Sequence, residues 1–359
     1  MSIIPIDRRH GGNPPPDTLD FSASINPLGP PASAIAAYHA AAAQISAYPP
    51  ARSERLERAL ARWLGVEPAN VLAGSGTTQL IYLLARTLGL ARAAVAIPTF
   101  SEFANALASA GVSAAPIRLD ARRGYALDIA ELNAALDTGV SAIFVGRPNS
   151  PTGSMLSTTA AREIAERCAR RGAICVLDEA FIDFATDAES SAPLAASRPG
   201  LFVLRSLTKS FAIAGLRLGC VVGAAPAIAK LAESIEPWSV NVAAEAAGLA
   251  CIAEAPEFLS RTREVIASER DFLVRALDAI DGIHVFPSAA NFLMLHVSDE
   301  PAPGAFAAQM LRGAIAIRDL ASMPGAGPGL YRIGIRLRAD NQRLIAVAAR
   351  WRGARVAGG

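Results

Sequence analysis

Lys209 is the first residue of chemical interest, because the chain uses arginine almost everywhere else. Only Lys209 and Lys230 are lysines among 34 basic residues. A guanidinium stays protonated and is not nucleophilic, whereas a lysine amine can form a Schiff base with an aldehyde. Lys230 lies in an amphipathic segment, where a solvated position is expected. Lys209 is therefore the candidate for covalent chemistry.

A loop from Gly74 to Thr78 is a candidate phosphate site. It follows an apolar strand and opens a helix, and its residues Gly76, Thr77 and Thr78 would combine backbone amides at a helix N-terminus with two hydroxyls. The loop lacks the lysine of a nucleotide P-loop and the full dinucleotide fingerprint. Taken alone, it is equally compatible with a plain strand-to-helix turn.

Asp178 is a candidate for binding a cationic group. It ends an apolar strand at 174–177, at the carboxyl edge where parallel sheets bind ligands. A carboxylate at that depth needs a cationic partner, which a protonated pyridine nitrogen would supply; the alternative is that Asp178 caps a loop. The polar turn at 147–153 follows another strand and could hold a ring hydroxyl, although a bare turn has the same composition.

The elements around these residues alternate in the pattern of a parallel sheet with crossover helices. After about residue 237 the order changes to long helices and then a few strands, which is typical of an α+β domain. We therefore expect an arm (1–45), a large domain (46–236) and a small domain (237–359). The predicted strands are 71–73, 94–97, 142–145, 173–177, 201–204, 218–222, 283–286, 291–297, 315–318 and 331–335, and the predicted helices include 79–89, 158–171, 243–254 and 256–280.

Composition excludes several classes of protein. The net charge of +2, without a basic run, argues against a nucleic-acid partner. The four cysteines and four histidines have no metal-ligand spacing, and the cysteines are expected to be buried thiols. Neither a signal sequence nor a membrane span is indicated, so we expect a cytoplasmic location without a membrane partner.

A serine acyl-transfer site is a weaker interpretation of the Lys209 segment. Ser206 and Lys209 match the first motif of those enzymes, and the segment 239–241 resembles the second. The third motif, Lys-Thr-Gly, does not occur in the chain. This alternative therefore receives little weight.

The ordered set of these motifs resembles the pyridoxal-phosphate enzymes of the aspartate aminotransferase fold (fold type I). Over nearly the whole chain, the order of Gly76-Thr77-Thr78, Phe100, Asp178 and Lys209 through Arg217 matches that family. The stretch 204–219 resembles its histidinol-phosphate aminotransferase branch. A finer resemblance, to the threonine-phosphate decarboxylase family of cobalamin synthesis, depends on the segments 10–13, 20–29, 177–184, 237–241 and 331–336.

The resemblance implies pyridoxal 5'-phosphate as cofactor and a role for each motif residue. Lys209 would hold the cofactor covalently and later return a proton to the substrate carbon, and Asp178 would keep the ring nitrogen protonated. The large domain would bind the cofactor, and the arm would pack near the active site. Phe100 would stack on the ring. The resemblance also implies a homodimer with shared active sites, in which Tyr48 of the neighbouring subunit contacts the cofactor. Further cofactor contacts are implied for Gly76, Thr77, Thr78, Asn149, Ser150, Phe181, Ser206, Thr208 and Arg217.

The same resemblance implies a phosphorylated amino-acid substrate. Arg332 would bind its α-carboxylate. His10, Arg318 and Arg336 are candidates for its phosphate, with Asn26 close by, since arginine donors suit a dianion.

Two positions depart from the aminotransferase pattern. Ser150 stands where the family usually has the asparagine that touches the ring oxygen, and Asn149 is a possible substitute. Phe181 stands where the aminotransferases usually have a tyrosine that bonds the same oxygen, and phenylalanine is what the decarboxylase resemblance would give.

The reaction depends on which substrate bond lies perpendicular to the conjugated ring, and residue identities do not fix that angle. From the resemblance we predict decarboxylation of O-phospho-L-threonine to (R)-1-aminopropan-2-yl phosphate. Histidinol-phosphate aminotransfer is the alternative. A catalytically idle cofactor-binding module is a third, less favoured class, because Lys209 is present and no added DNA-binding domain is apparent.

Overall fold

The computed structural model describes residues 4–298 and 300–351. Its strands are β1 Leu19–Asp20, β2 Val71–Gly74, β3 Arg92–Ile97, β4 Ser113–Arg118, β5 Ala142–Gly146, β6 Ile174–Asp178, β7 Leu201–Ser206, β8 Gly219–Val222, β9 Ile283–Val285, β10 Phe292–Val297, β11 Ile315–Ala316, β12 Arg318–Asp319 and β13 Leu330–Gly334. Its α-helices are α1 Ala32–Ala41, α2 Glu54–Leu64, α3 Gly76–Thr87, α4 Glu102–Ser109, α5 Ile129–Asp137, α6 Thr158–Arg170, α7 Ala192–Ser197, α8 Leu207–Ser210, α9 Ala225–Ser234, α10 Val242–Ala253, α11 Ala255–Asp278, α12 Ala305–Arg312 and α13 Arg338–Ala349.

A seven-stranded sheet in the order β2-β8-β7-β6-β5-β3-β4 forms the centre of the molecule. Strands β7, β6, β5, β3 and β4 are parallel, and β8 is antiparallel to both of its neighbours. Central strands such as β5 are buried along their whole length, because helices cover both faces. The prediction of an α/β fold with a mostly parallel sheet is confirmed. No helix within the described ranges is long and apolar enough to span a membrane.

The C-terminal strands form a separate antiparallel sheet in the order β12-β13-β10-β9. The N-terminal segment reaches this region, since Leu19 of β1 pairs in parallel with Ile315 of β11. The predicted domain boundaries after residues 45 and 236 stay a prediction.

Two details of the strand prediction were wrong. Strand β4 was missed, because Pro116 interrupts its apolar pattern; proline is tolerated there because β4 is the edge strand. The predicted strand 315–318 is two short strands with different partners, since β11 pairs with β1 whereas β12 pairs with β13. The four cysteines are free and buried, as predicted.

A fully buried ion pair lies behind the carboxyl ends of β5 and β6. Arg147 Nη1 donates to Glu179 Oε1 at 2.6 Å, and both side chains are 0% exposed. The guanidinium also donates to the carbonyl of Leu156 and to the hydroxyls of Thr158 and Ser191. With its donors bonded in this way, the pair is tolerated in the protein interior.

Replacing Arg147 should destabilise the fold strongly, because Glu179 would remain as a buried charge without its partner. We expect Arg147→Met to lower the free energy of unfolding by about 3–5 kcal/mol. The matched control is Arg171→Met, which breaks the Arg171–Asp137 pair, whose side chains are 32% and 62% exposed; a loss below about 1 kcal/mol is expected there. Urea unfolding of both variants makes the comparison, and equal losses would contradict it.

Candidate active site

A cavity of about 630 Å³ lies at the carboxyl ends of the parallel strands, closed by the N-terminal arm on one side and by the C-terminal sheet on another. Most residues predicted from the sequence line it. They are His10, Thr77, Thr78, Phe100, Ser150, Asp178, Phe181, Ser206, Thr208, Lys209, Arg217, Arg318 and Arg332.

Lys209 lies in the short helix α8, directly after β7, and its amine is surrounded by protein. Burial lowers the pKa of this amine to about 8, and the positive charges of Arg332 and Arg217 act in the same direction, against the opposing effect of Asp178. A larger fraction of the amine is therefore neutral near pH 7 than for an exposed lysine. Only the neutral amine is a nucleophile, so this environment suits Schiff-base formation. Lys230, in contrast, is exposed on α9.

Asp178 ends β6 and is enclosed by protein. Burial raises the pKa of its carboxyl to about 6, and the negative charge of Glu179 raises this pKa further. The hydrogen bond from Ala180 N (2.9 Å) and the positive charge of Lys209 lower the pKa, but by less than burial raises it. A carboxylate destabilised in this way gains from a cationic partner in the cavity.

The start of α3 and the end of β7 form a cradle of amides and hydroxyls. Gly76 has a φ of +76°, and a Cβ at this position would lie 2.8 Å from Arg217 Nη2. The absence of a side chain at Gly76 therefore makes room for the guanidinium beside the first turn of the helix. On the other side, the hydroxyls of Ser206 and Thr208 are hydrogen bonded at 2.6 Å. Helix amides, hydroxyls and an arginine together suit a phosphate group.

Two aromatic side chains contribute apolar surface to the cavity. Phe100 lies beside His10, with ring centroids 6.0 Å apart. Phe181 packs edge-on against Phe292 at 5.0 Å. A flat ring could stack against such surface.

Arg332 is a half-buried cation of the cavity. It lies on β13, where Nη1 donates to Ser150 Oγ at 3.0 Å and Nη2 to the carbonyl of Ser22 at 2.7 Å. Its Nε is buried and has no protein partner within residues 4–298 and 300–351. Burial lowers the pKa of Arg332 to about 10, and the nearby charge of Arg318 acts in the same direction. A substrate carboxylate would offset this desolvation.

The structure does not support three of the predicted contacts. Asn149 uses its amide to bond the carbonyl of Pro98 and Thr152, and its oxygen accepts from Thr99, so it has no amide donor left for a ring oxygen. The side chain that faces the cavity from this turn is Ser150.

Asn26 and Arg336 are the other two corrections. Asn26 is buried below the lysine segment, where Nδ2 donates to the carbonyl of Ser210 and to Thr262. Arg336 bonds Asp340 and the carbonyl of Asp20 outside the cavity. Both residues therefore support the site from outside instead of lining it.

Tyr48 also lies outside the cavity in the described part of the chain. It is 83% exposed and packs against Trp238, with ring centroids 5.0 Å apart. Its contact with the cofactor of a neighbouring subunit stays a prediction.

Several cavity residues were not predicted, among them Arg8, Arg9 and Glu102. Arg8 and Arg9 directly precede His10 in the sequence, so their basic character was an available signal. Glu102 follows Phe100 by two positions and had no pattern of its own.

These residues fit pyridoxal phosphate. The cavity combines a buried amine of lowered pKa, a buried carboxylate in need of a cationic partner, apolar ring surface and a phosphate cradle. Lys209 would hold the aldehyde carbon, Asp178 the ring nitrogen, and Thr77, Thr78, Ser206, Thr208 and Arg217 the phosphate.

Comparison with known proteins identifies the class. Residues 16–347 match the model of the family described as aminotransferase class I and II. The chain belongs to this family, with the predicted aspartate-aminotransferase-like fold, and it is a pyridoxal-phosphate-dependent enzyme.

Particular relatives are similar over nearly their whole length. The chain is 36% identical to the threonine-phosphate decarboxylase of Salmonella typhimurium, over 94% of each chain. It is 34% identical to the histidinol-phosphate aminotransferase of Roseiflexus castenholzii, over 96% of this chain and 93% of the relative. Among solved structures, it resembles histidinol-phosphate aminotransferase from Sinorhizobium meliloti in complex with pyridoxal-5'-phosphate, with a TM-score of 0.80 and 24% identity over 92% of this chain and 90% of that one.

Gly76→Ala should weaken cofactor binding, because its Cβ would displace Arg217 from the phosphate cradle. We expect the Kd for pyridoxal phosphate to rise about 10-fold or more, equivalent to about 1.4 kcal/mol. Gly139→Ala is the matched control, since Gly139 has the same φ of +76° but nothing within 4 Å of the added Cβ. Both variants carry about 1 kcal/mol of backbone strain, so a difference between their affinities reports the contact between residue 76 and Arg217. Absorbance titration with the cofactor measures both affinities, and equal values would contradict the assignment of the phosphate cradle.

Asp178→Asn should stabilise the cofactor-free protein at high pH. The raised pKa means that the folded state retains a proton between about pH 4 and pH 6 that the unfolded state has released, so this group lowers stability as pH rises through that interval. We expect the variant to gain about 3 kcal/mol at pH 8 and to approach the wild type near pH 4. Urea unfolding against pH tests this.

The control for Asp178 is Asp120→Asn. Hydrogen bonds from Arg122 lower the pKa of Asp120, so its removal should destabilise the protein at high pH instead. A stability profile of Asp178→Asn that is parallel to the wild type at every pH would contradict the assignment.

Proposed function

We propose that this enzyme decarboxylates O-phospho-L-threonine to (R)-1-aminopropan-2-yl phosphate in cobalamin biosynthesis. The proposal is supported by the similarity to the Salmonella typhimurium decarboxylase and by the set of cations in the cavity. It also accounts for Phe181 at a position where aminotransferases usually have tyrosine.

The observation that carries the choice of substrate class is the presence of two groups of basic side chains in one cavity. Arg332 has a buried Nε that has no hydrogen-bond partner among the described residues, and it would bind the α-carboxylate. Arg318 and His10 lie at the wall formed by the arm and would face the phosphate. A substrate with one carboxylate and one phosphate would contact both groups, whereas an unphosphorylated amino acid would contact only the first.

Pyridoxal phosphate supplies an electron sink for the pair released when the bond to the carboxylate breaks. The chain's own residues orient the substrate: Arg332, fixed by Ser150 and Ser22, sets the position of the carboxylate. Lys209, whose pKa of about 8 lets it exchange a proton near neutral pH, would return a proton to the α-carbon after carbon dioxide leaves.

A homodimer with shared active sites belongs to the same proposal. Tyr48 and Trp238 form an exposed aromatic pair, 83% and 48% exposed, that a second copy of the chain would cover. Tyr48 would then reach the partner's cofactor phosphate.

Histidinol-phosphate aminotransfer is the second candidate. The 34% identity to the Roseiflexus castenholzii enzyme favours it, and its substrate also contains a phosphate. The two reactions differ in their need for an acceptor, because aminotransfer consumes an oxo acid and decarboxylation does not.

An assay of the purified holoenzyme distinguishes them. We expect carbon dioxide release from O-phospho-L-threonine without any oxo acid, and none from Lys209→Ala, because the variant lacks the amine that holds the cofactor and returns the proton. Unphosphorylated L-threonine is the matched substrate control and should react at least about 10-fold less efficiently, since charged hydrogen bonds are lost. Formation of glutamate from 2-oxoglutarate only with histidinol phosphate would overturn the proposal.

A further inference from the structure

Glu102 connects three elements at the wall of the cavity. It begins α4, is 8% exposed, and accepts three hydrogen bonds. Its Oε1 accepts from His10 Nε2 at 2.9 Å and from Asn105 Nδ2 at 2.8 Å, and its Oε2 accepts from the Tyr82 hydroxyl at 2.9 Å. Burial alone would raise the pKa of Glu102, but the hydrogen bonds from His10, Tyr82 and Asn105 together hold it below its usual value. The side chain is therefore a carboxylate at neutral pH and a strong acceptor.

The same group of residues holds the N-terminal arm. Asn105 Nδ2 also donates to the carbonyl of Asp7 at 2.8 Å, so the arm is bound to α4 at both Asp7 and His10. Further along the arm, the Gly12 amide donates to Ser22 Oγ at 2.9 Å. Between these contacts the arm has no regular secondary structure. Two further bonds hold the arm: Arg318 Nη2 donates to the Arg9 carbonyl, and the Ile4 N–H donates to the Ala114 carbonyl at 3.3 Å. Among these contacts, the Glu102–His10 bond is an ion pair when the imidazole is protonated.

The arm separates two cavities. A second cavity of about 600 Å³ lies on its other side, against α12. Arg9, His10, Gly11 and Arg318 line both cavities. Release of the arm would therefore join the two spaces and remove one wall from the substrate site.

We propose that Glu102 is a positioning residue that acts through His10 to hold the arm as the phosphate-facing wall of the substrate site. A carboxylate would repel an anionic substrate, so the contribution of Glu102 comes from holding His10 and not from touching the phosphate. With Nε2–H donated to Glu102, Nδ1 can donate to a substrate oxyanion when the imidazole is protonated, because only the imidazolium has an N–H on both ring nitrogens. The inference rests on the proposed function, because it assigns the phosphate to this wall.

Steady-state kinetics with O-phospho-L-threonine test the effect on substrate binding. We expect Glu102→Ala to raise KM about 10- to 100-fold, the range for loss of a charge-assisted hydrogen bond, with kcat changed less than about 3-fold. Glu102→Gln keeps one acceptor oxygen and should be intermediate. Tyr82→Phe is the matched control, because it removes one bond to Glu102 and leaves the His10 contact; its KM should stay within about 3-fold of wild type.

A double-mutant cycle tests whether Glu102 acts through His10. If it does, Glu102→Ala adds nothing to the KM of His10→Ala, because the contact is already lost. Additive effects of the two substitutions would overturn the proposal.

Hydrogen exchange of the holoenzyme provides a readout that does not depend on turnover. Amides of residues 7–12 should exchange faster in Glu102→Ala, whereas Tyr82→Phe should match the wild type. Unchanged exchange in Glu102→Ala, or faster exchange with an unchanged KM, would overturn the positioning role. If the wild type does not decarboxylate phosphothreonine, the proposed function fails, and exchange of the arm alone then decides whether Glu102 docks it.

Discussion

The structure depends on keeping an amine and a carboxylate away from water in one cavity. Lys209 and Asp178 both have pKa values shifted by burial towards their neutral forms, at about 8 and about 6. These shifts are unfavourable for folding, and they are also the source of reactivity, because the neutral amine is a nucleophile and the poorly solvated carboxylate favours a cationic ring nitrogen. Cofactor binding relieves the same desolvation that makes the site reactive.

The surrounding polar network keeps this arrangement in place. Arg147 neutralises Glu179, the neighbour whose charge acts on Asp178. Asn26 holds the segment that contains Lys209 by donating two hydrogen bonds: its backbone N–H donates to the Lys209 carbonyl at 3.2 Å, and its side-chain Nδ2 donates to the Ser210 carbonyl at 2.7 Å. Residues that never contact the cavity therefore determine the geometry of those that do.

The sequence predicted the positions that are fixed by local pattern. Strands such as β5 and β6 are continuous apolar runs, so Asp178 could be placed at the carboxyl edge of a parallel sheet, whereas its grouping with Ser150 and Lys209 came from the family resemblance. Strand β4 was missed because Pro116 interrupts its apolar pattern. The sequence does not show that this strand lies at the edge of the sheet, where proline is tolerated. Asn149, Asn26 and Arg336 were misassigned because their side chains bond other protein groups, and motif order does not show which groups a side chain contacts. Glu102 depends on contacts with residues 82 and 10, which no short-range pattern reveals.

The pairing of β1 with β11 affects how the chain folds during synthesis. Leu19 pairs with Ile315, and the segment that follows β1 contains Asn26, which supports the Lys209 segment. Strand β1 is therefore synthesised long before β11 and cannot form its strand pairing until β11 has also been synthesised. The mostly parallel sheet of residues 71–222 can form first on the ribosome, but the floor and wall of the cavity are completed only when almost the entire polypeptide has emerged.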